Sequence, residues 1–115
     1  SEWKIFNKLS LTETNWIKIV KFAKKNGLVF IADIFGKESL NIALKAKVDG
    51  FKIHSENILN FKFIERVAKV GKMLLLGIGG IYRSDLILLL SFLKKKKSNK
   101  EYYTYARYSD ISNIF

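Results

Sequence analysis

The stretch FKIHSENILNFKFIERVAKVGKMLLLGIGG, Phe51–Gly80, decides the fold. Phe51-Lys52-Ile53 is a short apolar segment broken by one charge, and Met73-Leu74-Leu75-Leu76 is apolar throughout. Between them Phe61, Ile64, Val67 and Ala68 recur at helical spacing. Asn60 stands in front of that helix, where its side chain can accept from the first free backbone N–H groups. Gly71 falls just past the helix end, where a left-handed backbone costs glycine little. Apolar strand, helix and apolar strand in this order predict parallel strands covered by helices.

The same punctuation recurs towards the N-terminus. Gly27 and Gly50 also follow helix-like segments and precede apolar ones, and the three glycines are 23 and 21 residues apart. Trp16, Ile19, Val20 and Ala23 form the stripe of one helix, with Thr12 or Thr14 as its cap. Leu40, Ala43, Leu44 and Val48 mark a second, which starts near Ser39 or Asp33. Leu28–Ala32 reads as the strand between them. Downstream, a helix runs from Ser84 or Asp85 through Leu93 and ends in the cations Lys94–Lys97, which suit a helix C-terminus. Tyr102–Tyr108 reads as a fourth strand.

The fold class is therefore α/β, with alternating β/α units and a parallel sheet. At 115 residues the chain is expected to be a single domain and a partial, half TIM-barrel-like piece, because a closed barrel needs roughly 250 residues. A half barrel leaves strand edges unpaired. The chain is then an excised piece, a small open sheet, or one half of a homo-oligomer joined through those edges. Its opening on Ser1 instead of a methionine points to processing or to a piece of something longer.

Twenty-one Lys and Arg against 10 Asp and Glu give a net charge of +11. Only Arg66, Arg83 and Arg107 are arginines, so the surplus is lysine. Such a charge favours anionic ligands and speeds encounters with them. It lacks the arginine that nucleic-acid readers use for bidentate contacts, which disfavours nucleic acid as the partner. The absence of cysteine excludes disulfides and Cys-based metal sites. The longest apolar runs, such as Leu28–Ala32 and Leu86–Leu90, are far shorter than the roughly 20 residues that span a bilayer. No signal peptide opens the chain, so a cytoplasmic setting away from membranes is expected.

Three stretches could carry chemistry, all at the C-terminal ends of strands, where α/β proteins place ligands. With Phe51 and Ile53 turned to the helices, alternation puts Lys52 on the axis side, where a cation needs an anion or water. Ser55 follows at the strand end, and together they suit a phosphate or carboxylate. A solvated lysine on an irregular edge strand is the competing reading. Gly77, Gly79 and Gly80 follow a strand and precede a helix, so their backbone N–H groups could converge on a phosphate; a plain tight turn explains them equally well. Asp33 stands at the same edge and either binds a polar substrate group or caps the next helix, the cap being favoured. His54 is the one histidine and cannot build a His-rich metal site, so no metal ligand is assigned. Tyr102, Tyr103, Tyr105 and Tyr108 beside Lys94–Lys100 could instead make a basic module for nucleic acid or an acidic surface, although a strand packing its aromatics is simpler.

The order of these motifs resembles the sialic acid synthase family. Asn26–Phe30, the loop Asp33–Gly36, Lys52-Ile53-His54-Ser55, the Asn-led helix Asn60–Ala68, Gly71-Lys72-Met73 and Gly77–Gly80 carry the resemblance, over roughly Leu9 to Leu90. It implies a (β/α)₈ barrel of which this chain supplies a middle part. It also implies a transferase that condenses phosphoenolpyruvate with an N-acyl-mannosamine-type amino sugar, with a divalent metal (Mn or Mg) in the complete enzyme. Lys52 and Ser55 would hold the phosphate or carboxylate of phosphoenolpyruvate. The family's loop threonine is Asp33 here, which repels a phosphate, and its serine after the third strand is Gly77. Other lysine, acidic and histidine residues of the family would lie on strands outside this chain, which leaves it incomplete as a catalyst. The Gly77–Ile81 loop also looks like the phosphate loop of thiamine-phosphate-synthase-type barrels.

Overall fold

The apolar runs pair side by side. The computed structural model describes residues 2–95 and 102–105, the side chains of residues 3, 6, 7 and 102–105 excepted. Strands β1 (Ile31–Ile34), β2 (Gly50–Ile53), β3 (Met73–Gly77) and β4 (Tyr102–Tyr105) lie in sequence order, each neighbouring pair parallel. Helices α1 (Glu2–Leu9) and α2 (Glu13–Lys25) precede them, and α3 (Lys37–Ala46), α4 (Phe61–Val70) and α5 (Arg83–Lys95) are the crossovers. This is the expected alternation, a partial barrel with β1 and β4 at its edges. Helix α1 had no counterpart in the sequence reading. Lys96, Lys97 and residues 106–108 of the proposed fourth strand lie outside the described residues.

Alternation along the strands divides the sheet. Ile34, Phe51, Ile53, Leu74 and Leu76 face the helices and are buried. Val20 of α2, Leu40 of α3, Ile64 of α4 and Leu89 of α5 close over them in one core. Each such side chain contributes about 1.5–3 kcal/mol when fully removed from water. The opposite face carries Ile31, Asp33, Lys52, Met73 and Leu75, and it is at most half-buried. A closed barrel would turn that face to its axis.

The helix ends follow their local chemistry. Thr12 caps α2 by accepting from the N–H of Asn15 at 3.2 Å. Asn60 caps α4 by accepting from the N–H of Phe63 at 3.3 Å. Gly71 closes α4 at φ +94°, a conformation that only glycine takes cheaply.

Three expectations are corrected. Gly50 does not close α3; Lys47 does, at φ +58°, and Val48 lies beyond the helix. Gly50 opens β2 instead, where a Cβ would stand 2.9 Å from the carbonyl oxygen of Met73. The first strand starts at Ile31, three residues later than the apolar run, and Leu28 and Val29 are exposed. The N–H of Phe30 donates to the Asp49 carboxylate at 2.8 Å, and the N–H of Asp49 donates to the Phe30 carbonyl at 2.8 Å, so the ladder begins one residue later. Finally, Asp33 does not cap α3, because it lies within β1. Ser39 ties that turn, its Oγ accepting from the N–H groups of Phe35 at 2.8 Å and Gly36 at 3.1 Å. Among the described residues no helix is long and apolar enough to cross a membrane.

Candidate functional site

Strand β2 is an interior strand, so Lys52 is not the solvated residue of an irregular edge. Its neighbours Phe51 and Ile53 are buried under the helices, which turns Lys52 to the axis face. There the ladder register sets Asp33 of β1 directly across from it and Leu75 of β3 on the other side. Lys52 Nζ lies 3.2 Å from Asp33 Oδ1 and donates to Oδ2 at 3.3 Å. The side chains are 30% and 44% exposed. Solvent therefore screens the pair, and it is worth no more than about 1 kcal/mol. Both residues line a largely apolar cavity of about 680 Å³, with Trp16, Phe30, Phe35 and Leu75 among its walls. The cation thus already has an anion, and the chain itself supplies it.

Beyond Ile53 the chain turns through His54 into a single 3-10 turn, Ser55–Asn57. Gly77, the last residue of β3, lies against that turn. A Cβ at Gly77 would stand 3.1 Å from the Ile53 carbonyl oxygen and 3.2 Å from the Ser55 nitrogen. Glycine is therefore what lets the two strand ends meet. Gly79 and Gly80 continue into the turn before α5, Gly80 at φ +75° and exposed. Lys52 stands within β2, while Ser55 and Gly77 lie at the ends of β2 and β3; of these residues and Gly79 and Gly80, Lys52 alone lines the cavity it shares with Asp33. His54 is exposed, with its ring centroid 6.4 Å from that of Phe35.

A second polar cluster, at the opposite, N-terminal ends of the strands, escaped the sequence reading. Asp49 Oδ1 pairs with Lys24 Nζ at 3.3 Å, while its Oδ2 takes the Phe30 N–H. Lys24 also donates to the Lys47 carbonyl at 2.9 Å, and Lys72 donates to the Val48 carbonyl. The Phe30 hydrogen bond above all holds the Asp49 carboxyl below its ordinary 3.8; burial, next in size, opposes it, and the Lys24 hydrogen bond with the Lys24 and Lys72 charges adds to the lowering. The signal was present in outline: Lys24, Asp49 and Lys72 each stand within three residues of one of the spaced glycines.

With this geometry in hand, the comparisons decide the lineage. A sequence profile of the NeuB family matches residues 1–106. The chain belongs to the NeuB family. Uncharacterized protein MJ1065 of Methanocaldococcus jannaschii is 31% identical to this NeuB-family chain over 77 residues, which are 67% of the chain and 23% of that protein. The crystal structure of the Chromobacterium violaceum protein described as spore coat polysaccharide biosynthesis protein E matches with a TM-score of 0.79 at 24% identity, over 90% of this chain and 30% of that one. That likeness is one of fold. The chain spans less than a third of the length of either relative. Membership bears out the resemblance to sialic acid synthases and decides against the thiamine-phosphate-synthase-type barrel that the glycine loop left open.

The divalent metal that the resemblance implies can be tested on the donor set. Among the described residues no three His, Cys, Asp or Glu side chains stand together closely enough to hold an ion, and His54 lies beside the Phe35 ring. The described residues therefore do not make up a metal's ligand set by themselves.

Proposed function

We propose that this NeuB-family chain is part of a phosphoenolpyruvate-dependent synthase of sialic or other nonulosonic acids, which joins phosphoenolpyruvate to an N-acyl-mannosamine-type sugar. Its own share of the site is a seat for the anionic substrate. One observation carries this reading: an ammonium group stands on the axis face of an interior strand, one turn of chain from Ser55 and the close-packed Gly77. That ammonium is reached by solvent and shared with one carboxylate, which leaves it able to hydrogen-bond a second anion.

In this reading Lys52 Nζ donates to a carboxylate or phosphate oxygen of phosphoenolpyruvate. The Ser55 hydroxyl donates a second hydrogen bond from the first residue of the 3-10 turn. Backbone N–H groups of the Gly77–Gly80 loop face the phosphate end. These groups bind and orient; the amino sugar and the groups that move protons are assigned to further β/α units of the barrel. A cytoplasmic setting goes with a phosphorylated three-carbon substrate.

Isothermal titration of the chain with phosphoenolpyruvate tests the assignment. Replacing Lys52 by Ala should weaken binding about tenfold or more, the scale of a lost charge-assisted hydrogen bond. Equal affinity of the two proteins would remove Lys52 from the site.

A further inference from the structure

Resting on that reading of Lys52, we propose that Asp33 is a built-in counter-anion that tunes the ligand preference of the seat, shifting it away from a phosphate dianion and towards a singly charged carboxylate. Asp33 and Lys52 are directly opposed in the ladder between β1 and β2 and share the axis face. Lys52 Nζ is 3.2 Å and 3.3 Å from the two Asp33 oxygens, so both lone-pair sets are turned on the ammonium. Both residues line the same cavity, so any group that reaches Lys52 from it comes within a few ångströms of the Asp33 charge.

The consequence follows from charge alone. An anion that approaches the ammonium must share it with a carboxylate already there, and the repulsion from that carboxylate scales with the charge brought in. A dianionic phosphate suffers it twice, a monoanionic carboxylate once; the attraction to Lys52 scales in the same way, so Asp33 takes more from the dianion's advantage than from the monoanion's. Exposure of the pair, 30% and 44%, leaves room for Lys52 to swing from one partner to a bridging position between two. Asp33 thereby orients the substrate: the carboxylate end of a three-carbon phospho-acid belongs at Lys52, and its phosphate end belongs away from Asp33, towards the glycine loop. Asp33 acts on the ligand by its own charge and is a specificity-determining residue.

The experiment compares two probes, pyruvate and inorganic phosphate, at a pH where phosphate is chiefly dianionic. Their affinities are measured by NMR titration for the unaltered chain, Asp33→Asn, Lys52→Ala and the double variant. The readout is the ratio of the two affinities within each protein, which a general loss of folded protein does not move. The unaltered chain should favour phosphate over pyruvate less than Asp33→Asn does. Asp33→Asn should shift the ratio towards phosphate by about tenfold, and Lys52→Ala on top of it should abolish the shift. An unchanged ratio in Asp33→Asn, with binding still dependent on Lys52, overturns the role of Asp33 and spares the seat. Affinities indifferent to Lys52 in every background overturn the seat itself, and the counter-anion with it.

Discussion

Asp33 and Lys52 are nineteen residues apart in the chain and meet because strand β1 begins at Ile31. That starting point depends in turn on Asp49, whose carboxylate takes the Phe30 N–H and ends the approach to the ladder. The position of Lys52 was legible because its neighbours Phe51 and Ile53 name the helix-facing side of β2. Its partner was not, because cross-strand register is a tertiary fact that a continuous apolar run such as Leu28–Ala32 leaves open. Asp49 also predicts how the protein responds to acid. Its carboxyl titrates below the ordinary 3.8 in the folded chain, so the stabilisation is complete above that pH and is lost as the pH falls through the lower folded value. Thermal melts should show stability declining below about pH 4, and Asp49→Asn should flatten that decline. An identical acid profile in the variant would show that other carboxylates govern it.

At the level of elements, the helices were read where an apolar stripe and a cap coincide. Helix α4 shows both, with Ile64 and Val67 buried and Asn60 holding the Phe63 N–H. Asn60→Ala should cost about 1 kcal/mol in chemical unfolding, the usual worth of such a cap. A loss within error of zero would mean that packing alone sets the start of α4. Helix α3 began where Ser39 satisfies two backbone N–H groups, and not at Asp33, because a strand residue cannot double as the cap of a helix that starts three residues after the strand ends. Helix α1 passed unread; its Ile5 and Leu9 are exposed.

For the molecule as a whole, the glycine spacing announced repeated β/α units, and the ordered parallel sheet follows from it. Among the described residues strands β1 and β4 each have one neighbour, and the axis face leaves Met73 exposed and Leu75 half-buried. Unpaired strand edges invite pairing with another chain, whereas a net charge of +11 opposes contact between copies. Light scattering at several protein concentrations should therefore show mass rising with concentration, and more steeply in high salt, where repulsion is screened. A monomer mass at every concentration and salt would exclude self-association through the edges.

We propose that the pole formed by Lys52, Ser55 and the glycine loop receives the anionic substrate. The most direct test is a backbone amide NMR map of the chain titrated with phosphoenolpyruvate. Shifts should concentrate at Ser55 and at Gly77, Gly79 and Gly80, and should vanish in Lys52→Ala. Saturable shifts elsewhere with this pole silent, or a map that Lys52→Ala leaves unchanged, would contradict it.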